Sequence, residues 1–214
     1  MQINQKENKI SLFEFDNVFY GKGLSFVSGV DEAGRGPLAG PVVAAAVILS
    51  KDTFIDGVND SKKLTEQKRN ILFDKIKQTS ISYGIGIVDS KIIDELNILQ
   101  ATFLAMKKAL EQLAVKPNLV LIDGNHTIPN LKINQQAIVS GDAKSACIAC
   151  ASILAKVTRD SIMLEYAKQY PQYNFEKHKG YGTKAHLEAI QKYGPCPIHR
   201  MTFAPLNSKQ PEMF

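Results

Sequence analysis

The stretch from Ser25 to Gly40, SFVSGVDEAGRGPLAG, limits the possible folds of this chain more than any other part of the sequence. Its first half is an apolar, β-branched run over residues 26–30, which predicts a buried strand. The strand ends in two adjacent acids, Asp31 and Glu32, and a glycine-rich segment follows them. Because side chains alternate along a strand, both acids can face one site only if the chain bends there.

Glycine on both sides of Arg35 permits such a bend, since Gly34 and Gly36 allow sharp turns and close approach of a ligand to the backbone. Two carboxylates, a guanidinium and bare backbone amides would then converge at the end of a sheet. That combination suits a divalent metal ion with a phosphate or a sugar beside it. A strand that simply runs into a charged, glycine-rich turn is an equally good interpretation of this stretch alone.

The chain has 214 residues, 44% of them hydrophobic, which is enough for one large domain with a sizeable core. No apolar run is long enough to span a membrane, and the polar N-terminus lacks the apolar segment of a secretory signal. The three cysteines favour a reducing compartment over a disulfide framework. We therefore expect a cytoplasmic protein without membrane association, and we take it to be a monomer. The net charge of +5 is compatible with a polyanionic partner.

The remaining apolar patterns predict an α/β fold: a mixed five-stranded sheet flanked by helices, with a small helical appendage at the C-terminal end. Predicted strands occupy 26–30, 41–50, 80–88, 118–122 and 136–139. Predicted helices occupy 65–77, 90–96, 98–113, 143–170 and 183–192. We divide the chain into an N-terminal leader over 1–24, a main domain over 25–170, and the appendage with its tail over 171–214 as part of the same unit. The leader is predicted to be either loosely tied or an edge element.

Acids stand at three of the predicted strand ends: Asp31 and Glu32 at the first, Asp123 at the fourth and Asp142 at the fifth. Carboxylates brought to one point would repel each other unless a cation neutralised them. Oxygen ligands without His or Cys favour Mg²⁺ or Mn²⁺ over zinc, and a pair of such ions typically serves phosphoryl transfer. Taken singly, Asp123 is typical of a turn and Asp142 of a helix N-cap.

Basic and aromatic residues cluster later in the chain, around a Gly-Tyr-Gly loop that contains Tyr181. They could bind a phosphate backbone and stack on a sugar or a base, although the composition slightly favours a solvated loop. Cys147 and Cys150 form a C-x-x-C pair, and Cys196 with His199 repeats that spacing, so a zinc site is conceivable. The first pair lies among alanine and isoleucine within a predicted helix, which favours buried small residues instead.

Seven motifs, in order along the chain from Gly29 to Pro205, resemble those of the bacterial ribonuclease HII family. They are G-V-D-E-A-G-R-G-P-L-A-G-P-V, D-S-K-K-L, L-I-D-G-N, G-D-A-K-S, A-S-I-L-A-K-V-T-R-D, H-K-G-Y-G-T and H-R-x-x-F-A-P. The resemblance implies a ribonuclease H-like fold, cleavage of the RNA strand in RNA–DNA hybrids, and incision 5′ of single ribonucleotides in duplex DNA. The expected products have 3′-hydroxyl and 5′-phosphate ends, and the expected cofactor is a pair of Mn²⁺ or Mg²⁺ ions. This activity belongs to ribonucleotide removal in DNA replication and repair.

The same resemblance implies roles for individual residues. The catalytic metal ligands correspond to Asp31, Glu32, Asp123 and Asp142. The motif that reads the ribonucleotide 2′-hydroxyl corresponds to Gly34, Arg35 and Gly36. The tyrosine that packs against the following deoxyribose corresponds to Tyr181, and a contact to the substrate backbone corresponds to Lys62.

Two alternatives stay open on the sequence. Another ribonuclease H-like nuclease, such as a junction resolvase or an exonuclease, would share the fold, but the Gly-Arg-Gly loop and Tyr181 disfavour it. A non-catalytic hybrid-binding protein is disfavoured by the complete acidic set, because bare carboxylates repel a nucleic acid when no metal is present.

The C-terminal peptide Gln210–Phe214, QPEMF, is similar to the short motifs by which bacterial DNA-processing proteins bind the sliding clamp. An extended terminus with two adjacent apolar anchors is physically suited to such docking. Fraying, or folding back on the body of the protein, is the more ordinary alternative for so short a match.

Overall fold

The computed structural model describes residues 11–59, 61 and 64–207. Two predictions fall on other parts of the chain. The substrate contact Lys62 and the clamp-binding peptide Gln210–Phe214 lie outside the described residues, and both stay predictions.

A mixed five-stranded sheet forms the centre of the fold, as the sequence predicts. Its strands are β1 Val27–Ala33, β2 Val42–Ile48, β3 Ser82–Val88, β4 Leu119–Asp123 and β5 Asn134–Ile138. Their spatial order is β3-β2-β1-β4-β5; β2 is antiparallel to both of its neighbours, and β4 is parallel to both of its neighbours. The carboxyl ends of β1, β4 and β5 therefore lie at one edge of the sheet, which is where the sequence places the predicted acids.

Helices flank the sheet on both faces. In the described residues they are α1 Leu12–Tyr20, α2 Glu66–Thr79, α3 Ser90–Leu96, α4 Ile98–Glu111, α5 Ala146–Gln169, α6 Phe175–His178 and α7 Lys184–Tyr193. The side chains of Thr65, Asp89 and Thr183 accept backbone hydrogen bonds at the starts of α2, α3 and α7. These caps satisfy amides that have no partner within the helix, and they agree with the starts predicted from the sequence.

Close approach of backbones sets the distance between the layers. α4 lies against β2 and β3 on one face, and α5 lies against β1 and β2 on the other. A Cβ atom on Gly86 would lie 1.9 Å from the Ala105 carbonyl oxygen, and one on Gly29 would lie 2.1 Å from the Cys147 carbonyl carbon. Because β2 is buried between the two layers along its whole length, its sequence VVAAAVI shows no polar alternation.

The N-terminal segment differs from the loosely tied leader that the sequence predicts. α1 begins with reciprocal hydrogen bonds between Ser11 and Glu14, a capping box. Phe19 is buried in a cluster with residues of β1 and α5, and the Asp16 carboxylate accepts a 2.9 Å hydrogen bond from the backbone N–H of Cys147. This helix is therefore packed on the domain, while the three-part division of the chain stays a prediction.

The C-terminal appendage is helical, as predicted. α6, α7 and a 3₁₀ turn at Pro171–Tyr173 surround the rings of Tyr173 and Phe175, which stack with their centroids 5.3 Å apart. The appendage also contacts the loop after β1, because the Leu38 N–H donates to the Gly180 carbonyl at 2.8 Å. Within the part of the chain that the structure describes, no helix has the length and apolar character needed to cross a membrane.

Candidate active site

A cleft of about 300 Å³ opens at the carboxyl ends of β1 and β4. Its walls are formed by Asp31, Glu32, Ala33, Gly34, Ser61, Asp123, Ser152, Lys156, Arg159 and Tyr181. The predicted acids Asp31, Glu32 and Asp123 thus line the same cleft as Gly34 and Tyr181, although they come from distant parts of the sequence. Arg35 instead lines a neighbouring hollow that also contains Glu32 and Asp123. Another hollow, of about 310 Å³, lies between α1 and residues 54–59 and contains none of the predicted site residues.

The sheet itself brings the acids together. Val30 of β1 and Ile122 of β4 are partners in the parallel register, so the next residues, Asp31 and Asp123, emerge side by side. Asp31 is only 5% exposed, and its carboxylate accepts a 2.7 Å hydrogen bond from the backbone N–H of Glu32. Burial raises the pKa of Asp31 well above its usual range, and the nearby charges of Glu32 and Asp123 raise it further. Three carboxyl groups are therefore crowded in a poorly solvated corner of the cleft, where their ionisation is unfavourable without a cation.

Asp142 lies close to this corner but does not line the cleft. It belongs to a 3₁₀ turn at Gly141–Ala143, and α5 begins only at Ala146 with Ser145 as its N-cap, so the predicted helix start near Ala143 is wrong. The preceding residue connects it to the site, because the Gly141 N–H donates to the Asp123 carboxylate at 2.6 Å. Across the described residues, no three His, Cys, Asp or Glu side chains already converge as a ready-made set of metal ligands.

Of the two glycines around Arg35, Gly34 is required by the packing of the loop. Gly34 has a φ of +96°, and a Cβ there would lie 2.1 Å from the Arg159 Nε atom and 2.7 Å from the Pro41 carbonyl oxygen. A Cβ on Gly36 would lie 3.7 Å from the Tyr181 ring, so this glycine faces the predicted sugar-binding tyrosine. The Arg35 guanidinium is half exposed and pairs with Glu32 at 3.2 Å.

Tyr181 is 46% exposed at the mouth of the cleft, with its ring centroid 6.0 Å from the Arg159 guanidinium carbon. The predicted role of this loop in nucleic-acid binding stays a prediction, and the basic residues near it differ in exposure. Lys177 and Lys184 are exposed, but His186 and His199 are buried and cannot reach a phosphate backbone. Burial lowers the pKa of His186 to about 4 and also lowers that of His199, so both are neutral at pH 7.

α5 contributes three side chains to the cleft whose roles were not predicted from the sequence. Ser152, Lys156 and Arg159 lie at intervals of four and three residues, so they share one face of the helix. Polar residues at this spacing on an otherwise apolar helix are the pattern that could have revealed them. Arg159 is 1% exposed and donates to the carbonyl oxygens of Pro41 and Ala39, at 3.0 and 3.1 Å. Its burial lowers its pKa.

The surroundings of the three cysteines indicate a structural role. Cys147 and Cys150 are fully buried at the start of α5, as the sequence predicts, and burial raises the pKa of both thiols. Cys196 lies near His199, but its contribution there is a backbone N–H that donates to His199 Nδ1 at 2.8 Å. The pair Cys147 and Cys150 and the pair Cys196 and His199 therefore share a spacing in the sequence but belong to two separate local arrangements.

Comparison with known proteins identifies the family. The family model described as ribonuclease HII matches residues 28–206. The chain belongs to the ribonuclease HII family. A ribonuclease HII of Endomicrobium trichonymphae is 64% identical over 197 residues, which are 92% of this chain and 94% of that protein.

Solved structures agree on the fold. The ribonuclease H2 of Pyrococcus horikoshii superimposes with a TM-score of 0.73 at 29% identity, over 85% of this chain and 95% of that one. A ribonuclease HII of Archaeoglobus fulgidus, solved in complex with PCNA, gives a TM-score of 0.65 at 24% identity, over 88% and 100% of the two chains. The ribonuclease H-like fold predicted from the motifs is thereby confirmed.

Membership of the ribonuclease HII family makes this chain a hydrolytic endoribonuclease that acts on RNA–DNA hybrids. The two alternatives left open by the sequence, another type of nuclease and a non-catalytic binding protein, are not supported.

Proposed function

We propose that this ribonuclease HII is a divalent-metal-dependent enzyme that cleaves on the 5′ side of a ribonucleotide, including a single ribonucleotide within duplex DNA. The products would carry 3′-hydroxyl and 5′-phosphate ends. The observation that carries the proposal is the shared cleft, in which the acids of β1 and β4 lie with Gly34 and Tyr181, while Arg35 lies in the neighbouring hollow beside the same acids. Acids suited to hydrolysis thus lie beside groups suited to recognising the sugar.

The donor set fits a hard divalent cation. Asp31, Glu32 and Asp123 offer oxygen atoms only, and burial of Asp31 among negative charges favours a bound cation. We propose that these residues, completed by Asp142, would hold Mg²⁺ or Mn²⁺. Bound there, such ions would activate the attacking water and stabilise the leaving oxygen. The Gly141–Asp123 hydrogen bond orients the Asp123 carboxylate and fixes the turn that contains Asp142.

Substrate selection is assigned to the other side of the cleft. Arg35 and the amides of the flanking glycines would contact the 2′-hydroxyl, the group that distinguishes RNA from DNA. Tyr181, whose ring lies beside Gly36, would pack against the deoxyribose that follows the ribonucleotide. Lys156 and Arg159 add positive charge to the wall of the cleft, and the proposed contact of Lys62 with the substrate backbone would add to it.

Substitution of the acids tests the metal site. In a duplex that contains one ribonucleotide, we expect Asp31→Asn and Asp123→Asn each to lower turnover by more than about 100-fold, the upper end of what loss of a supporting group costs. Unfolding should stay cooperative, because these acids sit at strand ends. Chelation of the metal should abolish cleavage by the parent enzyme, and Asp52→Asn on an exposed loop is the control. Near-normal cleavage by either cleft variant would overturn the assignment.

Substitution of the reading residues tests the site of incision. Arg35→Ala and Tyr181→Ala should reduce incision at a single ribonucleotide more than cleavage of a long hybrid, since a long hybrid offers many registers. Tyr193→Ala is the matched control, because Tyr193 is similarly exposed, at 51% against 46%, but lies outside the cleft. An equal loss on both substrates would remove the proposed role at the RNA–DNA junction.

The proposal also includes a weak interaction of Gln210–Phe214 with the sliding clamp, supported by the QPEMF sequence alone. The full-length protein should bind the clamp of its own organism more tightly than a version that ends at Lys209. Equal binding by the two, or none by either, would refute this part without affecting the catalytic assignment. Cytoplasmic location and a monomeric state stay predictions.

A further inference from the structure

Arg200 is fully buried, and its guanidinium donates hydrogen bonds to backbone carbonyl oxygens on both sides of Gly36. Its Nη2 atom contacts the Gly34 carbonyl at 2.6 Å, and its Nη1 atom contacts the Arg35 carbonyl at 2.9 Å. Nε and Nη2 both reach the Gly40 carbonyl, at 3.0 and 2.9 Å. A planar guanidinium with several fixed donors is suited to hold several carbonyls at once, whereas an ammonium group is not.

The preceding residue, His199, is linked to Tyr181 through His186. His199 Nδ1 accepts a 2.8 Å hydrogen bond from the Cys196 N–H, so its proton resides on Nε2. Nε2 lies 3.1 Å from Nε2 of His186 and donates to it. The proton of His186 must then reside on Nδ1, which donates to the Tyr181 carbonyl at 2.9 Å.

These hydrogen bonds form one directional chain, from the Cys196 amide through two neutral imidazoles to the backbone of Tyr181. Only one assignment of tautomers satisfies every contact along it, and the buried position of both rings keeps water from competing. The 3.2 Å approach of His199 Nδ1 to the Cys196 carbonyl is not a donor contact in this assignment.

The two sets of contacts meet at Leu38. Its carbonyl accepts from the Arg200 N–H and its N–H donates to the Gly180 carbonyl, both at 2.8 Å. The dipeptide His199–Arg200 therefore lies between the loop that holds Arg35 and the loop that holds Tyr181.

We propose that His199 and Arg200, together with His186, are positioning residues that fix the Gly34–Gly36 loop and Tyr181 at the separation needed to read an RNA–DNA junction. Arg200 holds the first element directly, and His199 holds the second through His186. The inference rests on the proposed function, because it assumes that these two elements read the junction. None of the three residues lines the cleft.

A pair of substitutions at His186 separates the two ends of the hydrogen-bonded chain. The amide of His186→Asn occupies the region of Nδ1, so it retains a donor for the Tyr181 carbonyl and loses the link to His199. The amide of His186→Gln reaches the region of Nε2, so it retains the link to His199 and loses the donor to Tyr181. Both variants replace a neutral ring by a neutral amide, and Ile190→Val, which removes one methyl group from the same cluster, is the control for stability.

The expected difference lies in substrate preference. For His186→Gln, loss of one hydrogen bond should lower incision at a single ribonucleotide about threefold to tenfold, mainly through KM, while cleavage of a long hybrid stays within about twofold. His186→Asn, which keeps the donor to Tyr181 but loses the link to His199, should lower the ratio of the two activities by less than His186→Gln does, and Ile190→Val should retain the parental ratio. Arg200→Lys should lower the ratio further, because the ammonium group cannot replace the guanidinium contacts to Gly34 and Arg35.

Hydrogen exchange provides a readout that needs no substrate. Peptides covering 34–41 should exchange faster in Arg200→Lys. Those covering 178–183 should exchange faster in His186→Gln than in His186→Asn, and at the parental rate in Ile190→Val. The inference would be overturned if the two His186 variants behaved identically. It would also be overturned if cleavage of both substrates fell only in proportion to the loss of stability, as in Ile190→Val. If His186→Gln speeds hydrogen exchange in residues 178–183 while Tyr181→Ala keeps the parental substrate preference, the positioning role is supported and the proposed role of Tyr181 is refuted.

Discussion

Replacing Gly29 by alanine tests the packing on which the cleft depends. Gly29 lies on β1, two residues before Asp31, and faces the start of α5. An added Cβ would lie 2.1 Å from the carbonyl carbon of Cys147 and 2.2 Å from the backbone nitrogen of Ile148. Both neighbours are backbone atoms, so a change of side-chain rotamer cannot relieve the clash. Either α5 or β1 must move.

The required movement follows from the distances. Ordinary contact begins near 3.4 Å, so the helix must retreat by about 1.3 Å. A gap of 0.5–1 Å already forfeits roughly a quarter to a half of the dispersion energy between facing atoms. Overpacking of a core costs about 1–3 kcal/mol, and a clash between two backbones belongs at the upper end or above it. We therefore expect Gly29→Ala to lower the free energy of unfolding by at least about 3 kcal/mol, or Tm by roughly 6–12 °C.

The same movement should affect catalysis, because α5 carries Ser152 and Arg159 on one wall of the cleft and β1 carries Asp31 on the other. A displacement of about 1 Å can reduce a rate by about 100-fold. Urea unfolding followed by far-ultraviolet circular dichroism measures the stability, and cleavage of a duplex with one ribonucleotide measures the activity.

Gly21→Ala is the matched control. Gly21 has a φ of −62°, and its nearest neighbour would lie 3.4 Å from the new Cβ, so alanine should fit without strain. The expected change is a gain of about 0.4–1 kcal/mol from the lower entropy of the unfolded chain. A Gly29→Ala protein whose unfolding free energy lies within about 1 kcal/mol of the parent would refute the close packing of β1 against α5.

Two further predictions concern titratable groups. Burial lowers the pKa of His186 to about 4 in the folded protein, whereas its value in the unfolded chain is 6.5. Between these two pH values the unfolded chain binds more protons than the folded protein. The stability that neutral, buried His186 allows is therefore complete above pH 6.5. The free energy of unfolding measured in urea should therefore fall as the pH drops from 6.5 to 4, by up to about 3 kcal/mol, and His186→Asn should flatten this dependence. An unchanged slope would contradict the prediction. Because Cys147 and Cys150 are buried and burial raises their pKa, both should resist a thiol reagent in the native protein and react only after unfolding. Rapid native labelling of either, detected by mass spectrometry, would show that the start of α5 opens.

Prediction of the fold and of part of the site depended on local patterns that have direct physical causes. The β-branched run before Asp31, the apolar run of β2 and the acids after β1 and β4 were sufficient to predict the sheet and the edge at which the carboxylates lie. α1 was not predicted, although its Ser11–Glu14 capping box is a local signal. Its attachment to α5 depends on a residue more than a hundred positions away, because Asp16 binds the Cys147 amide. The start of α5 was misplaced because a 3₁₀ turn satisfies local hydrogen bonds as readily as a first helical turn.

By itself, the sequence determined which residues have the chemistry for the site: acids at strand ends, a Gly-Arg-Gly loop and a tyrosine between glycines. Only the tertiary structure decided how they are held, because Arg200 binds carbonyls about 160 residues away and His199 reaches Tyr181 through a third residue. Every residue carries a backbone carbonyl, so the sequence does not distinguish the carbonyls that become buried from the others. No local pattern could therefore show which of them a buried arginine would bind.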